Sequence, residues 1–418
     1  MTSEVALLNR WAIALAADSA TTASYFERGE RKTRFFKGAK KIFHLTPRFP
    51  IALMTYDAEN LLGIPWGTIV AGYRDRYPSI PLNFVHDYAT DFFRYVESNL
   101  GLYAQATMEA QLSADVVESA GLILRMADPE GIAVTEGNRT KRVSMLERRM
   151  EKVTSDIASS PFIHGFSEDD VSAILGQWET RIIDGITQDP FVMARAEGLD
   201  MHALASLGAQ ALLKKRSTIL PASGLVFAGF GDQEFFPALE HYTCYGVVVG
   251  RLIRELGGAV QISQKNPSEL LPFAQSDMSR GFLYGVRPSV TARVNSNLTK
   301  ALEHYDELLR EAGLVTGGLS EEIKAKVHER FSECIESELM LRHTLPTKQI
   351  VGFLPPDELA DLAEMLVRME SLKERFTRDT ESVSGPIRVS VISKTDGFVL
   401  ITRQATALNG REYRATNL

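Results

Sequence analysis

The pattern of apolar residues switches four times along this chain, from strand-like to helix-like and back, and that order limits the folds open to it. Two short runs, Val5–Leu8 and Trp11–Ala17, are separated by Asn9-Arg10, the shape of a tight hairpin. A polar stretch from Ser19 to Lys40 follows, with Gly29, Gly38 and a cluster of basic residues. Two more strand candidates, Lys41–Leu45 and Ile51–Met54, are joined across Thr46-Pro47-Arg48. From about Ala58 to Leu220 apolar residues recur at helical spacing, clearest in Phe84–Leu100 and Val171–Ile186, with breaks at Pro161 and Pro190. The charge-dense Thr135–Lys152 reads as a solvated helix or loop.

Strands return at Gly224–Phe230, Gly246–Val249 and Ala259–Ile262, and helices at Asn295–Arg342. In Asp357–Phe376 the residues Leu359, Leu362, Met365, Leu366, Met369 and Leu372 form one apolar stripe behind an Asp start signal. The closing hairpin pairs Ile387–Ile392 with Phe398–Thr402 across Lys394-Thr395-Asp396-Gly397, and Asp-Gly between apolar runs is a strong turn signal. Strands, helices, strands, helices, strands is an order that suits two sheets layered with helices and enlarged by helical insertions.

Charge narrows the partners. Against 53 Asp and Glu stand 46 Lys and Arg, a net charge of −7, whereas dedicated nucleic-acid binders carry a basic face. Two cysteines cannot build a disulfide framework, which points to a reducing compartment. The start Met1-Thr2-Ser3-Glu4-Val5 lacks a basic leader region, and no apolar run approaches the ~20 residues of a membrane span. The expectation is a cytoplasmic protein with no nucleic-acid or membrane partner.

Most chemical motifs are absent. There is no Gly-x-Gly-x-x-Gly, Walker loop, His-Glu-x-x-His or Cys-x-x-Cys, and Ser223-Gly224 completes no Gly-x-Ser-x-Gly elbow. His241-x-x-Cys244 lacks a second ligand pair and reads as a sheet-edge His and a buried Cys. Neither a metal nor a cofactor is expected. What remains is Thr2. Its small side chain favours removal of Met1, which leaves a threonine with a free α-amine of pKa about 7.7–8.0. Such an amine is a base within reach of its own residue's hydroxyl.

With Ala16-Ala17-Asp18-Ser19 placing Asp18 16 positions after Thr2, the opening resembles the proteasome β-subunit family, the Thr-type N-terminal nucleophile hydrolases. That family ends its second strand in Ala-x-Asp-Ser and starts the next with Lys-Ile or Lys-Val, which Lys41-Ile42 matches after a longer loop; Lys40 is the neighbouring alternative. Read without a gap from Lys41, Thr55-Tyr56 stands where the family has Gly-Gly, so Thr55 falls on the backbone oxyanion donor. Leu225–Asp232 with Phe236–Leu239, and Phe282-Leu283-Tyr284-Gly285-Val286, are similar to two later family segments. Met278, flanked by Ser276 and Ser279, occupies the position of the family's Gly-Ser-Gly serine. Ser384 falls on the second serine and Glu381 on its acidic partner, with Asp379 as a nearby substitute.

The resemblance implies an α+β fold, a four-layer αββα sandwich forming one domain over residues 1–402, with its core at about 2–60, 224–286 and 355–402. Stretches 84–220 and 287–350 would be helical insertions and 404–418 a polar tail. It also implies a peptide or amide substrate and catalysis by Thr2, Asp18, Lys41, Glu381 and Ser384, with Thr55 lending its amide. Relatives stack into rings, so a homo-oligomer is implied too. A non-catalytic scaffold, like the family's α-type subunits, and an amidase for small amides stay open beside the peptidase reading.

Overall fold

The computed structural model describes residues 2–27, 30–77, 80–128, 139–163, 165–196, 198–214, 222–314, 320–377 and 385–401. The chain opens with β1 (Ser3–Asn9), β2 (Ala12–Ala17), β3 (Ala20–Glu27), β4 (Glu30–Lys37), β5 (Ile42–His44) and β6 (Ile51–Asp57). A short ladder, β7 (Asn60–Leu61) with β8 (Ile64–Pro65), leads into α1 (Trp66–Arg76) and α2 (Val85–Ser98). Then come α3 (Gln105–Ala127), α4 (Arg139–Ser159), α5 (Glu168–Gln188), α6 (Pro190–Ala196) and α7 (Met201–Lys214). Strands β9 (Ser223–Gly229), β10 (Ala238–Val248), β11 (Arg251–Gln261) and β12 (Ser268–Ala274) follow. The remaining elements are α8 (Asp277–Tyr284), α9 (Pro288–Glu311), α10 (Glu321–Leu339), α11 (Leu345–Val351), α12 (Pro356–Thr377), β13 (Arg388–Ser393) and β14 (Gly397–Ile401).

Two five-stranded antiparallel sheets carry the architecture, in the orders β12-β1-β2-β13-β14 and β11-β10-β9-β6-β5. The fold is therefore α+β. The opening hairpin has no polar face because both of its faces are covered. Val5, Leu7, Ala14 and Ala16 pack against Leu359, Ala363, Leu366 and Val367 of α12. Ala6, Leu8, Ile13, Leu15 and Ala17 meet Ala52, Met54, Val226 and Leu239 from the second sheet. The far face of that second sheet holds Leu53, Leu225 and Phe227 against Trp66, Phe92 and Phe93 of α1 and α2. Each large apolar side chain buried this way contributes roughly 1.5–3 kcal/mol. Helices α3, α5, α6 and α7 bury a core of their own, including Val116, Ile174, Ile186 and Leu213, which reaches the β10–β11 hairpin through Val248 and Ile253.

Three departures from the sequence reading have physical causes. The stretch Ser19–Lys40 holds a hairpin, β3 with β4 in register Ala20↔Lys37 to Glu27↔Glu30. Its Thr, Tyr and Phe residues favour strand, and the interleaved charge hides them. Strand β12 carries Pro272, which argues against a central strand, but β12 is an edge strand paired to β1, where proline is tolerated. On α12 the buried face is rotated: Met365 and Leu372 are exposed, and Glu370 and Glu374 lie buried instead. Among the described residues no helix is long and apolar enough to cross a membrane. The tail 404–418 lies outside the described residues.

Candidate active site

Backbone hydrogen bonds draw the site together. Thr2 precedes β1, its carbonyl accepting from the Gln275 amide at 2.9 Å beyond the end of β12. Asp18 follows β2, where the Asp18 amide donates to the Ser3 carbonyl at 3.2 Å and the Ser3 amide donates back to Asp18 Oδ1 at 3.3 Å. The Ser19 carbonyl then accepts from the amides of Gly38 at 2.9 Å and Ala39 at 3.1 Å. Those bonds return the chain beside Asp18 just before Lys41. Lys40 is exposed and Lys41 is buried, so of the two alternatives Lys41 is the inward residue.

The Lys41 ammonium lies 2.6 Å from Asp18 Oδ1 and 3.1 Å from Glu4 Oε1. All three side chains are sealed from solvent. Burial alone would push the Lys41 ammonium down, but the Glu4 and Asp18 carboxylates facing it hold it above the ordinary lysine range. Burial pushes Glu4 up to about 8 against the opposing pull of Lys41, with the Asp18 charge adding to the rise. Glu4 was missed in the sequence, although an acid inside an apolar strand is itself a signal. It projects to the same side of β1 as Thr2, two residues earlier, because strand side chains alternate. The Thr2 hydroxyl helps to hold the Glu4 carboxyl down.

The amide facing Thr2 is not the expected one. Thr55 N–H donates to the Lys41 carbonyl at 2.8 Å and is occupied by that contact. Amides two residues apart on a strand point the same way, so the Asp57 N–H projects past the end of β5 and lies 3.5 Å from Thr2 Oγ1. Asp57 adopts a left-handed φ of 62°, a conformation that side chains other than Gly, Asn and Asp rarely take. Tyr56 stacks on Phe273 at 5.3 Å and covers Gly224, where a Cβ would collide with its ring at 2.0 Å. Met278 donates its amide to Glu370 Oε2 at 2.8 Å, Ser276 precedes α8, and Ser279 is buried. Glu381, Ser384 and Asp379 lie outside the described residues. Gly385 sits against Ser19, a Cβ there falling 2.5 Å from Ser19 Oγ.

A cleft of about 540 Å³ adjoins this cluster, walled by Ile42, Thr55 and Trp66 and carrying Lys40, Arg74, Arg388 and Glu59. Burial raises Glu59, and Lys40, Ile42 and Thr55 tie the cleft to the cluster, the first two flanking Lys41 in the chain and the third bonded to its carbonyl. His44, also in the cleft, is pushed down by burial.

No family model and no curated protein matches this chain. Among solved structures it is similar to Anbu (ancestral beta-subunit) from Yersinia bercovieri, at 11% identity over 96% of this chain and 86% of that one, with a TM-score of 0.26. A TM-score of that size does not establish a shared fold.

Proposed function

We propose that the chain is a proteasome-like N-terminal nucleophile hydrolase that cleaves a peptide or amide bond with Thr2. The observation that supports it most is a buried ammonium, Lys41, held on Asp18 and on Glu4, the carboxyl that the Thr2 hydroxyl also reaches. In this reading the two sheets and their covering helices form a four-layer αββα sandwich. The stretches 84–220 and 287–350 are insertions into it, and copies associate as a homo-oligomer.

Removal of Met1 frees the Thr2 α-amine. Thr2 Oγ1 attacks the carbonyl carbon while the amine takes the hydroxyl proton, directly or through one water. The new C–O bond converts the carbonyl oxygen to an oxyanion, which the Asp57 N–H and the Lys41 charge stabilise. Collapse breaks the C–N bond, the proton passes to the leaving amine, and an acyl ester remains on Thr2. Water then attacks that ester, the α-amine again serving as base, and releases the acid.

The test compares protein with a native terminus against protein with a non-cleavable N-terminal extension, using an epoxyketone that captures hydroxyl and amine together. An adduct at Thr2 only in the native form, absent in Thr2→Ala, is the expected result. Equal reactivity in both forms excludes the mechanism. The scaffold reading is favoured by one observation, Met278 where the family has its serine. Absence of any adduct in the native form would support it.

A further inference from the structure

Glu4 has no part in the steps above, yet it is among the most enclosed charged residues of the fold. Its side chain is fully buried and its Oε1 is 3.1 Å from Lys41 Nζ. Among the described residues Oε2 has no hydrogen-bond partner. A buried carboxylate oxygen left unpaired costs more than an exposed one, and proteins retain such groups chiefly where they do something.

The groups that face Glu4 are few. Before β1 there is Thr2, after β2 there is Asp18, and before β5 there is Lys41. From β6 the Tyr56 hydroxyl feels the Glu4 charge, and Asp57 follows it. On β12 the residue in register with Glu4 is Phe273, whose ring meets Tyr56 and His241. His241 is pushed down by burial and is neutral. Asp18 and Lys41 together sum to zero. Ionisation of Glu4 therefore places a second carboxylate charge on Lys41 beside that of Asp18.

We propose that Glu4 is a positioning residue that gates the Thr2 reaction through Lys41: uncharged, it leaves the ammonium facing the Asp18 carboxylate alone and able to attract the developing oxyanion, and ionised, it adds a second carboxylate charge that quenches that attraction. This rests on the hydrolase reading. Because burial lifts Glu4 to about 8, the gate titrates within the range where the Thr2 amine also loses its proton. Lys41, held above its ordinary range, stays charged throughout. The two titrations have opposite effects. Reactivity rises as the amine becomes a free base, then falls as Glu4 ionises.

The experiment follows epoxyketone adduct formation at Thr2 by intact mass from about pH 6 to about pH 10, in the wild type and in Glu4→Gln. Above its optimum the wild type should lose about tenfold per pH unit. Glu4→Gln should hold a plateau there, so that its rate ratio between the alkaline end and the optimum exceeds the wild-type ratio by tenfold or more. A carboxyl carbon NMR titration of the wild type, which needs no variant to fold, should show one buried Glu titrating near 8. An alkaline limb unchanged in a folded Glu4→Gln, or Glu4 titrating at its ordinary value, overturns the gate while leaving the hydrolase reading intact. No adduct in the wild type at any pH overturns both.

Discussion

Lys41 Nζ lies 2.6 Å from Asp18 Oδ1 with neither side chain open to water. A buried pair of this kind is weak evidence for stability, since desolvation offsets most of the attraction, but removing one partner strands the other. Lys41→Ala should therefore destabilise the fold by about 3–5 kcal/mol and lower Thr2 reactivity by roughly 10²–10³-fold. Thermal melts and adduct rates read the two effects separately. Lys40→Ala, on an exposed side chain, should change stability by less than about 0.5 kcal/mol.

Asp57 supplies its backbone, not its carboxylate, to the proposed oxyanion site. Its φ is 62° and its N–H lies 3.5 Å from Thr2 Oγ1, so a residue that resists this conformation would shift the backbone that carries the amide. Asp57→Gly should retain Thr2 reactivity, since glycine takes the left-handed region freely. Asp57→Val should cost about 1–2 kcal/mol in backbone strain and about 10²-fold in adduct rate. Similar rates in the two variants would remove Asp57 from the site.

Stability should fall as pH rises from about 4 to about 8. Glu4 is raised from 4.5 to about 8 and Asp115, buried on α3, from 3.8 to about 7, in both cases by desolvation first. An acid with a folded pKa above its unfolded value binds its proton more tightly when folded. Its contribution is fully present below the unfolded value and is lost as pH rises through the folded one. The melting temperature should thus decline across about pH 4 to 7 through Asp115 and about pH 4.5 to 8 through Glu4. Asp115→Asn and Glu4→Gln should each flatten their own part of that decline in calorimetry.

How much of this was legible in the sequence depended on what kind of fact was being read. The opening hairpin was clear because strands covered on both faces lose their alternation and become plain apolar runs, as Val5–Leu8 does. Thr2, Asp18 and Lys41 were singled out through the family resemblance, and the structure brings Lys41 onto Asp18. The amide that faces Thr2 was not anticipated. Counting residues gave Thr55, but which amide is free depends on ladder partners, and the Lys41 carbonyl already holds that of Thr55. Glu4 was passed over because an acid in an apolar strand reads as an interruption until Lys41 is seen opposite it. The stripe on α12 misled for a related reason: buried Glu370 accepts from the Met278 amide, so a charged residue takes the core-facing place that Met365 and Leu372 were expected to hold.

The last prediction concerns what the cleft admits. In a protein of net charge −7, Lys40, Arg74 and Arg388 line one cleft against, among the described residues, the single carboxylate of Glu59. Arg388 begins β13 opposite Ala17, one residue before Asp18, so its charge stands next to the proposed reaction centre. If the acyl side of the substrate lies in this cleft, an acidic side chain there meets net positive charge. A partly exposed ion pair contributes up to about 1 kcal/mol, which corresponds to roughly fivefold in rate. Peptide substrates with Glu or Asp on the acyl side of the cleaved bond should therefore outpace matched Gln or Asn peptides by about that factor. Arg388→Ala should bring the ratio toward one, and Arg388→Glu should invert it, because like charges brought together are repelled as strongly as opposite ones are drawn. The effect should shrink with added salt, as expected for charges that water still reaches. A ratio that Arg388 does not move, measured as kcat/KM across the paired peptides, would place the acyl side chain elsewhere.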